Sequence, residues 1–321
     1  MLKIGNLKIS SRCILPPLDG ISDLPFRMLN RSFGCGFAFL EMLSTRAMIN
    51  PTKKVNLKVA TGPDDKPLGV QLLGRDIEMI KKVVNDINLN HSYDIIDLNA
   101  ACPGKKVTSR GEGAALLKEP AKLIEILSEM VSSSKLPVTV KIRSGWDDGS
   151  MNARDIALYA QDAGIKALFI HGRTRKQQYS GVVNYKIIKE VKEALAIPVI
   201  ASGDGLSPQL IKKMFDETGC DGVAIARGSL GNPWIFSRTE KYLKTGKLPK
   251  EPDLDELIST MIYHLEAYCQ FYGERIGVIV YRKFFNWYSR EKVGVKQLRN
   301  DAFKAKDKDQ MIEIINQLRT I

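Results

Sequence analysis

Cys102 is the residue whose setting points most directly to chemistry. It lies in DLNAACPGKKVTSRGEGAALLK (97–118), where an apolar run at 95–98 gives way to a polar turn and Pro103-Gly104 blocks any continuation. Free cysteine usually behaves as a small buried hydrophobe. A thiol on a glycine-flanked, lysine-rich loop is poorly explained by packing and reads as a reactive group at the mouth of a site.

Polar residues collect in the same way around the other apolar runs. Asp19-Gly20 follows 14–18, Gln71 sits in the end of 68–73, and Lys141 and Arg143 stand at the end of 138–142. His171-Gly172-Arg173 follows 167–170, Ser202-Gly203-Asp204 follows 198–201, and Arg227-Gly228 closes 222–226. With 36–42 and the run before Asn99 and Cys102, these segments are continuously apolar, as strands covered on both faces should be. Between them, 76–87, 120–132, 153–163, 185–195 and 207–218 carry apolar residues at helical spacing. Ser207-Pro208 supplies a cap and a proline at the first helical position. Eight strands alternating with helices predict a parallel (β/α)8 barrel, with a doubly wound open sheet as the alternative. In a barrel, these polar clusters converge on the C-terminal rim, where the chemistry of this fold is found.

Two glycine-bearing turns follow the last two strands, SGDG at 202–205 and ARG at 226–228. Barrels often bind phosphate there through backbone amides, and Arg227 adds a permanent cation. No GxGxxG follows a strand, so the expectation is a phosphate-bearing cofactor seated in the barrel and not a Rossmann-type nicotinamide site.

Composition narrows the class further. The 48 Lys+Arg against 36 Asp+Glu give a formal charge of +12, which favours encounter with polyanions such as nucleic acid. Five cysteines without CxxC spacing, beside His91, His171 and His264, suggest neither a disulfide framework nor a zinc site, so no metal is expected. No apolar run has the length of a membrane span, and MLKIGNLKIS lacks the apolar core of a signal peptide. The expectation is a cytoplasmic protein in a reducing compartment, monomeric and independent of membranes. From about Glu251 the strand runs stop and long amphipathic helices take over. Arg282, Lys283, Arg290, Lys292, Lys296 and Arg299 fall there in one stretch with few acids, which suits phosphate contacts on folded RNA.

The segments PPLDGISDLPFR (16–27), QLLG (71–74), 97–118, VKIRSGW (140–146), HGRTRKQQYSG (171–181), IPVIASGDG (197–205) and DGVAIARGSLGNPWIF (221–236) together resemble the tRNA-dihydrouridine synthases, a flavin-dependent family. The similarity continues more weakly into VYRKFFNWYSRE (280–291). It implies an FMN-binding catalytic TIM barrel over 1–240, followed by a smaller all-α, tRNA-binding domain over 251–321. It also implies FMN reduced by NADPH or NADH, hydride transfer to C6 of a uracil in tRNA, and protonation of C5 by Cys102. A thiol in its ordinary state is protonated near pH 7 and needs no special tuning to donate.

Transferred residue by residue, the resemblance places Pro16, Pro17 and Leu18 under the flavin ring, Gln71 on its edge and Lys141 at its pyrimidine end. His171 falls by the ring or phosphate, and Ser202, Gly203, Asp204, Ala226 and Arg227 on ribitol and phosphate. Asn99, with donor and acceptor on one planar group, is suited to orienting the base. Arg173 is expected to touch the substrate nucleotide from the rim, and Arg282 and Lys283 to contact it from the helical domain. Four residues depart from the usual pattern. They are Asp19 in PPLDG where APMAG is common, Ser202 in place of asparagine, Ala226 in place of glycine, and Phe284 where histidine is frequent. Two other readings share parts of this pattern: a small-molecule pyrimidine dehydrogenase of the dihydroorotate or dihydropyrimidine type, and a non-catalytic tRNA-binding protein on a barrel scaffold.

Overall fold

The computed structural model describes residues 1–320. Among them, the strands are β1 (Leu2–Ile4), β2 (Leu7–Ile9), β3 (Cys13–Ile14), β4 (Ala38–Phe39), β5 (Leu43–Ser44), β6 (Leu68–Leu73), β7 (Ile95–Ala100), β8 (Val138–Arg143), β9 (Ala167–His171), β10 (Val199–Ser202) and β11 (Gly222–Ala224). Parallel pairing runs β3-β11-β10-β9-β8-β7-β6-β4, and a bridge between Leu15 and Ala38 brings the two ends together. The result is a nearly closed eight-stranded parallel barrel, as the alternation of runs predicts, and the open-sheet alternative is set aside. Of the second run, 36–42, only β4 is a strand, and β5 follows just beyond it; both pair with β6. The first strand is only two residues long, because Pro16 and Pro17 cannot donate to a ladder.

The helices between strands end where their capping residues dictate. Asp76 accepts from Met79 N, Asn184 from Ile187 N and Ser207 from Leu210 N, each satisfying an orphan N–H of the first turn. Their apolar faces pack on the outside of the barrel against Ile96, Leu98, Val140, Ile142, Leu168 and Ile170.

The barrel interior is layered by the two-residue period of a strand. On β7, Ile96, Leu98 and Ala100 face the helices, so Ile95, Asp97 and Asn99 face inward. On β8 the inward set is Thr139, Lys141 and Arg143, and on β9 it is Ala167, Phe169 and His171. Apolar inward residues therefore lie at the start of β7 and along most of β9, while the inward face of β8 is polar throughout. The lower layer holds Phe37, Phe39, Ile95, Phe169 and Ile200, with Phe39 edge-on to Phe37 and Phe169 at 5.0 and 5.5 Å between centroids. The antiparallel β1-β2 hairpin plugs this end with Leu2, Ile4 and Ile9. Its three-residue strands carry too little pattern to be read from sequence. Packing fills the floor and leaves only the upper mouth open.

Beyond the barrel, helices Leu254–Tyr272, Glu274–Tyr288, Lys296–Lys304 and Lys308–Asn316 form an all-α part docked on helix Leu24–Ser32. The seam is aromatic. Phe26 stacks on Phe284 at 5.6 Å, and His264 lies edge-on to Phe284 at 4.6 Å. Asp23, buried at the N-cap of helix Leu24–Ser32, accepts from Tyr268 Oη and Tyr272 Oη at 2.7 and 2.8 Å. Burial raises the Asp23 carboxyl above its ordinary range, and these two hydroxyls act against that shift. Among the described residues, no helix is long and apolar enough to cross a membrane.

Candidate active site

The open end of the barrel forms a cavity of about 360 Å³, in the range of small-molecule sites. Cys102 lies on its wall, half-buried, on the loop after β7. That loop is fixed from both sides. Cys102 N donates to Asn99 Oδ1 at 2.8 Å, and Cys102 O accepts from Ala114 N at 3.1 Å. Arg143, buried on β8, ties it to the loop after β9: Nε donates to Ala101 O at 2.7 Å, and Nη1 to Thr174 O and Gln178 O at 3.0 and 2.8 Å. Burial lowers the Arg143 pKa to about 10, still leaving it a cation at neutral pH.

Lys141 stands one pair away across the β7-β8 ladder, opposite Asn99. Among the described residues, its only hydrogen bond is a long one to Ser202 Oγ at 3.5 Å. Burial and, after it, Arg143 bring its pKa down to about 8, while Asp97 and Cys102 act in the other direction. His171 is enclosed by Lys141, Arg143, Arg173 and Arg227. Burial first, and then those cations, hold it far below its ordinary range, so it is a neutral imidazole at pH 7. Its Nε2 is buried and has no hydrogen-bond partner among the described residues.

The two glycine turns touch one another. A Cβ on Gly228 would come within 2.0 Å of Gly205 O, so only glycine permits the approach. Gly203 lies at φ +121°, and a side chain there would meet Val183 and His171. Between the turns, Asp204 accepts from Arg173 Nη1 and Nη2 at 3.0 and 2.5 Å and from Arg227 Nη2 at 2.6 Å. The Arg173 bonds, chiefly, lower the Asp204 pKa. Tyr179, exposed on the loop after β9, lies under Arg227 at 5.3 Å and Arg143 at 5.8 Å.

Pro16, Pro17, Leu18, Gln71, Asn99, Cys102, Lys141, His171, Ser202, Gly203, Asp204, Ala226 and Arg227 all line this one cavity, although they come from different strand ends. Arg173 does not. It is 2% exposed, and its guanidinium is consumed by Asp204, Ser180 O and Gly181 O, so it braces Asp204 and the loop after β9 and offers no free edge. Arg282 and Lys283 are also turned inward. Arg282 Nη2 donates to Ala305 O at 2.6 Å, and Lys283 Nζ donates to Gly20 O, linking the helical part to the mouth of the barrel. Arg290, Lys292 and Lys296 are exposed. Arg290 and Lys292 line a groove that shares Leu206 with the cavity. Asp19 pairs with Lys58, which also holds Glu41, so its charge is answered locally. Phe284 is fully buried in the aromatic seam and cannot meet a substrate.

Sequence reasoning missed Met42, Tyr179 and Asp97. Met42 and Tyr179 line the cavity from loops without periodic signal. Asp97 did carry a signal. It is a lone carboxylate in a buried strand, two residues before Asn99 and therefore on the same face.

An uncommitted cation at Lys141, a neutral histidine with an orphaned nitrogen, and two glycine turns beside Arg227 fit a ligand with a polar-edged ring and an anionic tail. A parallel barrel with this site at its C-terminal mouth defines the molecule as a barrel enzyme. Residues 14–320 match the family model described as dihydrouridine synthase. The chain is 40% identical over 315 residues to a "Probable tRNA-dihydrouridine synthase" of Rickettsia conorii, covering 96% of this chain and 95% of that one. It is 37% identical over 318 residues to "tRNA-dihydrouridine synthase B" of Pseudomonas aeruginosa, covering 99% and 95%. The chain belongs to the dihydrouridine synthase family. Among solved structures, its fold is similar to histamine dehydrogenase from Rhizobium sp. 4-9 (TM-score 0.57, 13% identity, 83% of this chain and 50% of that one). It is also similar to an old yellow enzyme homologue from Zymomonas mobilis (TM-score 0.51, 13% identity, 78% and 93%).

Proposed function

We propose that the protein is a tRNA-dihydrouridine synthase that reduces the C5=C6 bond of specific uridines with FMN as its flavin and NADPH or NADH as the reductant. The observation that carries this reading is the shared cavity wall on which the half-buried Cys102 stands with Gln71, Asn99, Lys141 and the neutral His171. Pro16, Pro17 and Leu18 would lie under the flavin ring, Gln71 and Lys141 at its polar edge, and Ser202, Gly203, Asp204, Ala226 and Arg227 with His171 along ribitol and phosphate. When bound and reduced, FMN supplies the hydride that reaches C6 of the uracil.

The remaining work falls to the chain. The C5=C6 bond is conjugated to the C4 carbonyl, so addition at C6 builds enolate charge that a proton at C5 must quench. Cys102 gives that proton: its S–H bond breaks as the C5–H bond forms. The thiolate left behind is stabilised by Lys141 and Arg143, which lie within electrostatic reach, and is reprotonated from solvent at the open mouth. Asn99, fixed by the loop, orients the base. A uridine inside folded RNA must first leave its stack. We assign that grip to the helical part, 251–321, with Arg290 and Lys292 on phosphates, and the chemistry to 1–240. A monomer in the cytoplasm suffices for this work.

The test incubates the FMN-loaded protein and NADPH with unmodified tRNA and measures dihydrouridine by mass spectrometry of nuclease digests. The expected result is dihydrouridine at a discrete position. Cys102→Ala should keep FMN and tRNA binding and lose about 10²- to 10⁴-fold in turnover. Turnover of free uracil in place of tRNA would transfer the chain to the small-molecule pyrimidine dehydrogenases. Unchanged turnover in Cys102→Ala would remove the thiol from the mechanism.

A further inference from the structure

Asp97 does not line the cavity, yet it ends the hydrogen-bond chain that holds two residues that do. It is 1% exposed on β7, below Asn99. Its Oδ1 accepts from Thr139 Oγ1 at 2.6 Å and its Oδ2 from Gln71 Nε2 at 2.7 Å. Gln71 Oε1 accepts from Asn99 Nδ2 at 2.7 Å. Asn99 Oδ1 accepts from Ala101 N at 3.0 Å and Cys102 N at 2.8 Å. An unbroken line of buried polar groups thus runs from Thr139 on β8 to the backbone of the loop that bears the thiol.

A primary amide can be turned end for end at almost no cost in shape, so what fixes each one is the demand of its neighbours. An ionised carboxylate only accepts, so Gln71 must turn its NH2 to Asp97 and its carbonyl to Asn99. Two backbone N–H groups at the other end only donate, so Asn99 must turn its carbonyl to them and its NH2 to Gln71. Both ends select one direction. Reversing one amide alone sets donor against donor or acceptor against acceptor. Reversing both strands two backbone donors at one end and faces Asp97 with an oxygen at the other, a cost of order 1–3 kcal/mol per unsatisfied group.

The donor count that remains is specific. Gln71 keeps one N–H after serving Asp97. The second N–H of Asn99 rests on Met42 Sδ at 3.1 Å, a weak acceptor on a flexible side chain that a ligand carbonyl can displace. Both amides belong to residues that line the cavity, and these two N–H groups are the donors they have left to offer a ligand.

We propose that Asp97 is a positioning residue that locks the Gln71 and Asn99 amides with one N–H each available to acceptors on the flavin or the uracil, and that holds the Cys102 loop through Asn99. The part that concerns the flavin rests on the synthase reading above; the amide direction does not.

The test compares Asp97→Asn with Asp97→Ala. Both remove the charge, but only asparagine leaves an acceptor facing Gln71, with its own NH2 free to donate to Thr139. In protein without flavin, hydrogen exchange at the Ala101 and Cys102 amides should match wild type in Asp97→Asn and speed up about tenfold in Asp97→Ala. With FMN, Asp97→Asn should bind within about twofold of wild type, and Asp97→Ala about tenfold more weakly. The Ala variant should also have a midpoint potential below that of the Asn variant. A tenfold weaker preference for reduced flavin corresponds to about 30 mV for a two-electron couple. Should Asp97→Ala fail to fold, Thr139→Val removes the donor that orients the carboxylate and should give the same changes at about threefold. Equal behaviour of the Asn and Ala variants would overturn the proposal, because charge or bulk alone would then explain the effect. If the exchange pattern appears but wild type takes up no flavin, the amide lock stands and the synthase reading falls.

Discussion

Among the described residues, Lys141 has only a long hydrogen bond to Ser202 Oγ, and its surroundings disfavour its charge. Burial and Arg143 depress its pKa to about 8, against only partial relief from Asp97 and Cys102. A lysine whose folded pKa lies below its ordinary value of about 10.4 costs stability at every pH below the folded pKa, and the cost disappears as pH rises from about 8 to about 10.4. Lys141→Met should therefore stabilise the flavin-free protein at pH 7, by about 2 kcal/mol after discounting for solvent in the open cavity. The difference between variant and wild type should shrink above pH 8. If Lys141 stands at the pyrimidine end of the flavin as proposed, the same variant should bind reduced FMN more weakly, since a cation there favours the reduced anion. Thermal melts of both proteins from pH 6 to 10, with and without FMN, read this directly. A melting difference that does not vary with pH would mean that the ammonium is not held against its preference. Burying an unpaired cation is what a site does when its partner arrives with the ligand.

At the level of elements, the two turns after β10 and β11 act as one unit, because Gly228 packs directly against the carbonyl of Gly205. A methyl group added at Gly228 must push the turns apart, and with them Ser202, Asp204 and Arg227. Gly228→Ala should leave helix content by circular dichroism unchanged and weaken FMN binding by about tenfold or more, measured by quenching of flavin fluorescence. Unaltered affinity would separate these turns from the phosphate site. The strands supply the rest of the positioning. The parallel registers bring the inward polar residues of neighbouring strands together, Asn99 beside Lys141 and Arg143 beside His171.

For the molecule as a whole, the helical part is fastened to the β3-side rim by Asp23 with Tyr268 and Tyr272, by Phe26 with Phe284, and by Lys283 with Gly20. That attachment consumes Lys283 and buries Phe284, and of the basic residues in the 282–299 stretch it leaves Arg290, Lys292 and Lys296 exposed. The groove holding Arg290 and Lys292 runs into the cavity at Leu206. Replacing Arg290 and Lys292 together by alanine should weaken tRNA binding and lower the slope of log affinity against log salt by about one to two, with FMN binding unchanged. A slope equal to that of wild type would place the tRNA elsewhere.

The eight apolar runs, the helices between them, the Ser207 cap and the barrel were legible in the sequence, and the family resemblance added about half of the cavity-lining residues. Strand burial, helical spacing and turn chemistry are local properties, and in a barrel the strand ends have only one place to go. The direction of individual side chains was not legible. Arg173 and Arg282 lie in basic, glycine- or aromatic-flanked segments that look available for a substrate, but each meets carbonyl or carboxylate oxygens brought in from elsewhere in the chain. Asp97 reads as one polar residue in a strand until the β6, β7 and β8 registers place Gln71 on one side of it and Thr139 on the other. Sequence by itself determined which chemical groups reach the rim, because their spacing along each strand sets face and height. Only the tertiary structure decided which of them stay free to meet a ligand, because hydrogen bonds and ion pairs are saturated by partners distant in the chain.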